Sequence, residues 1–210
     1  MNERPRTEQL LIHSGSFYGP SPGRYRFRAG TLMAERPLET FITLILEDED
    51  SELAQAHREL YPERIPEHIP LSLTLLYPWI PAESVTEADL EQLRGFFASR
   101  PQLEFRLTHV AEFPGKVVYA VPEPDGELRA TMRALWALYP EYPPYREPGG
   151  DPPPHCTIGR LEGDHAITLE RAAARVEPLL PVSCRVEAAT LMEEYDIDRC
   201  RVRETFSFGE

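Results

Sequence analysis

The chain contains no run of about 18 apolar residues, so no membrane-spanning helix is predicted. Its first residues, Met1-Asn2-Glu3-Arg4-Pro5, lead into no apolar segment of the kind a secretory leader needs, and a cytoplasmic location is expected. Cysteine is scarce. Cys156, Cys184 and Cys200 are odd in number and lack metal-ligand spacing, so they read as reduced, buried thiols. Positive charge is also short: 22 Lys and Arg stand against 35 Asp and Glu, a formal net charge of −13. Such a surface repels a phosphate backbone, which excludes an extended nucleic-acid-binding face but leaves room for a small phosphorylated ligand in a local pocket. No metal or cofactor is expected.

The chain does have length and proline. With 210 residues it can bury a real core, as one long domain or two small lobes. The 22 prolines are about twice the usual share and gather at Pro62 to Pro81 and Pro140 to Pro154. Proline fixes φ and removes a ladder donor, so these stretches read as shaped loops bordering strands.

Residues 1–37 are rich in Gly, Pro, Ser and Arg and read as an N-terminal arm or hairpin, with Arg24 to Arg28 alternating like a short strand. Residues 38–208 read as one domain of two lobes. Thr40 to Leu46 is a β-rich run, and Ser51 caps a helix reaching about Leu60. Leu71 to Tyr77 is a strand stopped by Pro78. Thr86 opens a helix with Leu90, Leu93, Phe96 and Phe97 on one face. Leu103-Phe105-Leu107 alternates with polar residues, and Gly115 turns that strand into Val117 to Val121. Asp125 is the expected cap of a helix carrying Leu128, Met132, Leu135 and Leu138. His155 to Leu161 is a strand and Ile167 to Leu180 a helix. Val182 to Met192 and Arg199 to Phe208 form a final hairpin.

Strands and helices are mixed, and the short turns at Gly115 and at Asp196 to Asp198 join antiparallel partners. The expected class is therefore α+β. The order strand, helix, strand, helix, strand occurs once in each half, with Thr74 and Thr157 at corresponding places. The expectation is bilobal: two lobes related by a pseudo-twofold around a shared central cleft.

In a strand, residues i and i+2 share a face. His155 and Thr157 thus project together while Cys156 points away, so the thiol cannot pair with the neighbouring ring as a nucleophile. Ser72 and Thr74 are the matching pair in the first half. Hydroxyls donate to phosphate oxygens, and an imidazole exchanges protons with attacking and leaving oxygens.

Ile69 to Trp79 (Ile-Pro-Leu-Ser-Leu-Thr-Leu-Leu-Tyr-Pro-Trp) resembles the first motif of the two-histidine phosphoesterase superfamily, in the branch of bacterial 2′-5′ RNA ligase-like proteins and RNA cyclic phosphodiesterases. Pro154-His155-Cys156-Thr157-Ile158-Gly159-Arg160 resembles the second. Phe113-Pro114-Gly115 and the loop at 140–145 resemble the family as well, so the similarity covers about residues 38 to 208. The resemblance implies a bilobal fold of two antiparallel sheets with helices outside. It implies metal-independent cleavage of a cyclic phosphodiester, or ligation through a 2′-5′ bond. It also implies a small phosphorylated ligand or RNA end as partner. By the same resemblance His155, Thr157 and Thr74 are the catalytic candidates.

Ser72 occupies the place of the first histidine. Serine does not act as an acid or base near neutral pH, and losing one such group typically costs about 10²–10⁴-fold. His68 is the alternative, but Thr74 lies six residues on, about 20 Å along an extended strand. Two functions stay open: a weak cyclic phosphodiesterase using His155, Thr157, Thr74 and Ser72, or an inactive nucleotide or RNA-end binding protein of the same fold. Tyr77 and Tyr145 are the candidate substrate contacts. Tyr77 and Trp79 read more readily as core or rim aromatics than as base-stacking platforms, and Tyr145 with Arg146 suits either a lid or ordinary loop packing. Arg160 is aimed away from the cleft by alternation.

Overall fold

A computed structural model of the chain describes residues 37–46, 51–62, 69–163, 165–196 and 199–209. Residues 1–36 of the expected arm, including Arg24 to Arg28, lie outside these described residues, as do His68 and the last two residues of the turn expected at Asp196 to Asp198.

Strand β1 (Thr40–Ile45) is buried on both faces except at its last residue. The Ser51 side chain accepts from the Ala54 N–H at 3.0 Å and opens helix α1 (Glu52–Leu60) as expected. After β2 (Ser72–Leu76), Thr86 and Asp89 cap each other's backbone and start α2 (Glu87–Ala98). Strands β3 (Leu103–Phe113) and β4 (Val117–Glu123) are joined by a turn in which Gly115 has φ +71, a conformation that favours glycine.

Helix α3 (Gly126–Leu138) follows without the expected side-chain cap, because the Asp125 carboxylate instead takes the Arg129 Nε–H at 2.6 Å. Strand β5 (Cys156–Arg160) begins one residue after His155. Helix α4 (Leu169–Val176) is shorter than the expected span from Ile167 to Leu180. Thr168 caps its start, and Pro178 falls in the 3₁₀ turn that ends it, since proline has no N–H for the α-helical ladder.

The segment expected as one strand, Val182 to Met192, is two. Strand β6 (Val182–Val186) pairs with β3, whereas β7 (Ala188–Asp196) pairs with β1 and with β8 (Arg199–Ser207). Glu187 divides them. The β-forming composition runs straight through that residue, so nothing local marks the break.

The strands form one sheet in the order β6-β3-β4-β5-β2-β1-β7-β8, antiparallel throughout. The α+β class is therefore the observed one. The two expected sheets are instead continuous, joined where β2 meets β5 through the pair Leu73↔Cys156. Consecutive strands β6 and β7 lie towards opposite ends of that order with only Glu187 between them. An extended residue on each side of such a link spans only about 7 Å, so the sheet must curl until its margins approach. The Pro101↔Gly209 bridge and the Gly209 N–H to Arg100 carbonyl bond, 2.8 Å, draw the same margins together.

Helices cover one face of the curled sheet. Leu73, Leu75, Cys156, Ile158 and Val118 meet Leu53, Leu60, Leu93 and Leu135 in the main core. A small cluster of Phe41, Ile69, Met192 and Cys200 packs separately, with Tyr77 against it. The three cysteines are buried thiols. Among the described residues no helix is long and apolar enough to cross a membrane.

Candidate functional site

The central pair of strands sorts its side chains by alternation. Leu73, Leu75, Cys156 and Ile158 go to the helices and are buried, while Ser72, Thr74 and Thr157 are half-buried on the other face. From the pair Leu73↔Cys156, antiparallel register sets Ser72 opposite Thr157 and Thr74 opposite His155. The four residues expected to share a cleft are thus brought into one square, with Ser72 diagonal to His155. The row continues sideways. Thr74 stands opposite Thr43, Thr43 opposite Thr190, and Thr190 opposite Thr205. Thr43 donates its hydroxyl proton to the Leu73 carbonyl at 2.9 Å.

His155 is only 3% exposed. Its Nδ1 lies 2.8 Å from the Pro153 carbonyl oxygen, which can only accept, so Nδ1 carries the proton and Nε2 is the basic nitrogen. Burial brings its pKa down to about 4, against a weaker opposite pull from the Pro153 carbonyl. The imidazole is therefore neutral near pH 7: it has no acid proton to give there, and as a base it is weak.

Aromatic rings enclose it. Phe113 and Tyr119 present their rings to His155 at 5.0 and 5.6 Å, and they stack on each other at 4.4 Å. Tyr119 faces Thr157 across the β4–β5 pairing, and burial raises its phenol pKa. The Tyr145 ring lies 6.3 Å from His155. The sequence reading missed Tyr119 as a site residue and took Phe113 for a turn. The available signal was an aromatic among the aliphatics of Val117 to Val121, at the parity of the polar face.

Tyr77 is held by Glu39 and packs beside Tyr145. Its hydroxyl donates to Glu39 Oε2 at 2.5 Å, its ring packs against Phe41 and Tyr145, and burial with the Glu39 charge pushes its phenol pKa well up. Glu39 also pairs with the Arg146 guanidinium. The Tyr145 N–H donates to the Tyr77 carbonyl at 2.6 Å. Trp79 is a core residue, buried edge-on to Tyr139. Arg160 donates from Nε to the Tyr61 hydroxyl at 2.6 Å on the helix side, where alternation aims it. A cavity of about 320 Å³ is lined by Glu39, Pro78, Trp79, Tyr142, Pro143 and Arg146 among others, and by none of Ser72, Thr74, His155 and Thr157.

A family model described as the 2′-5′ RNA ligase superfamily matches residues 46–198, well over half of the chain. Solved structures of similar fold include TT0787 of Thermus thermophilus, with TM-score 0.51 and 21% identity, covering 82% of this chain and 99% of that one. E. coli LigT complexed with NADP+ has TM-score 0.49 and 18% identity, covering 84% of this chain and 100% of that one. The complex of LigT with 3′-AMP has TM-score 0.46 and 16% identity, covering 83% and 100%. No curated protein matches.

Proposed function

Because this chain belongs to the 2′-5′ RNA ligase superfamily, we propose that it binds a phosphodiester or 2′,3′-cyclic phosphate, at a nucleotide or RNA end, on the polar face where β2 meets β5. What supports this reading is the register that gathers Ser72, Thr74, His155 and Thr157 on that face. In it, the hydroxyls of Thr74 and Thr157 donate to phosphate oxygens, and Ser72 holds a phosphate oxygen or the attacking water. Tyr145 borders the ligand beside His155.

Turnover in this reading is slow. Water attacks phosphorus, neutral His155 takes its proton at Nε2, and the P–O bond to one ribose oxygen breaks. That oxygen takes its proton from solvent, since Ser72 supplies no general acid. A second reading, binding without turnover, is favoured by the burial of His155 and its low pKa.

Calorimetry and turnover assays with 2′,3′-cyclic AMP test both readings. The wild type is expected to bind, and Thr74→Val and Thr157→Val to weaken binding by about tenfold each. Ser72→His is expected to raise turnover about 10²-fold or more by restoring an acid–base group, in the presence of EDTA as in its absence. Absence of binding, or binding indifferent to both threonine variants, would remove the proposal. Equal inertness of wild type and His155→Ala, with turnover gained by Ser72→His, decides for binding alone.

A further inference from the structure

An imidazole that is 3% exposed cannot touch a ligand until something moves. Among the described residues three rings lie against His155, and of these Phe113 and Tyr119 belong to the paired strands β3 and β4. Tyr145 does not. It sits in the short turn Pro144–Arg146, where Tyr145 and Arg146 are consecutive non-glycine residues with φ 53 and 59. L-residues hold that left-handed conformation only where surrounding contacts impose it.

Among the described residues, two contacts contribute to that. The Tyr145 N–H donates to the Tyr77 carbonyl, and the Arg146 guanidinium pairs with Glu39. Glu39 is a firm anchor. Its carboxylate also accepts the Tyr77 hydroxyl, its N–H donates to Glu194 Oε2 at 2.8 Å, and its carbonyl accepts the Glu194 N–H at 2.8 Å. The two partners differ in exposure: the Glu39 side chain is 14% exposed and that of Arg146 is 64%.

We infer that the Glu39–Arg146 ion pair is a latch on the Tyr145 turn, and that its release uncovers His155 to the phosphodiester. The inference rests on the proposed binding face only for its ligand. The anchor is bonded to Glu194 of β7 just before β1 begins, and the turn belongs to a loop, so the exposed arginine is the end that lets go. A ligand phosphate arriving on the polar face offers Arg146 a second anionic partner, with which Glu39 must compete. Among the described residues, Tyr119 and Tyr145 are the titratable groups in ring contact with His155.

Titration of His155 by NMR, its resonance assigned by loss in His155→Gln, reads the latch without any ligand. Arg146→Ala is expected to raise the His155 pKa by about one unit or more as water reaches the ring. Glu39→Gln is expected to act in the same direction, and Arg146→Lys to restore the wild-type value. Association of 2′,3′-cyclic AMP, measured by stopped flow, is expected to quicken in Arg146→Ala. An unchanged His155 titration in folded Arg146→Ala and Glu39→Gln overturns the latch. A raised titration with no cyclic phosphate bound by any variant leaves the latch standing and removes the phosphodiester reading instead.

Discussion

In the folded chain His155 is held out of water and takes a proton only near pH 4, whereas in the unfolded chain it does so near its ordinary value of about 6.5. Between those values the unfolded state binds more protons, so stability rises with pH across the window. The contribution is complete above about pH 6.5 and is lost as pH falls towards 4, up to about 3 kcal/mol. Urea unfolding at pH 7 and pH 4.5 is expected to show a smaller loss in His155→Gln than in the wild type. At this scale the sequence was informative about Ser72, Thr74, His155 and Thr157, because strand alternation is local and needs only the spacing of residues. It was silent about Glu39 and about Tyr119 as a neighbour of His155. Those contacts depend on which strands pair, and residues 39 and 146 meet only in the finished fold.

Two helix starts were legible for the same local reason. Ser51 and Thr86 each accept the backbone N–H three residues on, as their side-chain chemistry dictates, whereas the Asp125 carboxylate is taken by Arg129. Thr86→Ala is accordingly expected to cost about 1 kcal/mol in a chemical denaturation curve. Ends and strand breaks were harder, since the division of β6 from β7 at Glu187 is imposed by pairing partners far along the chain. The strand that follows His155 has its own constraint. A Cβ at Gly159 would stand 2.4 Å from Ile167 Cδ1 and 3.1 Å from the Leu60 carbonyl oxygen. Gly159→Ala is therefore expected to destabilise by about 1–3 kcal/mol, the usual range for overpacking. Ile167→Val in the same chain is expected to recover part of that, as thermal unfolding of the double variant would reveal.

At the scale of the whole molecule, the α+β class and antiparallel pairing were readable from turns and alternation, but the joining of all strands into one curled sheet was not. It hangs on a one-residue link and on the pairing of β2 with β5, neither of which has a compositional mark. The strands on the His155 side of that junction, β3 to β6, are contiguous along the chain. Those on the Ser72 side are split, with β1 and β2 early and β7 and β8 late. Removing the chain from Ala188 onward takes β7 away from β1 and is expected to abolish the cooperative urea transition, followed by circular dichroism.

The split also sets a timetable during synthesis. Thr43 must wait for Thr190, roughly 150 residues later, which at ribosomal speed is on the order of ten seconds. Throughout that interval β1, one of the most buried strands of the finished protein, has an unpaired apolar edge open to chaperones or to a neighbouring nascent chain. Strands β3 to β6 have all been made before β7 begins, so the histidine side of the polar face can be complete before its serine side closes.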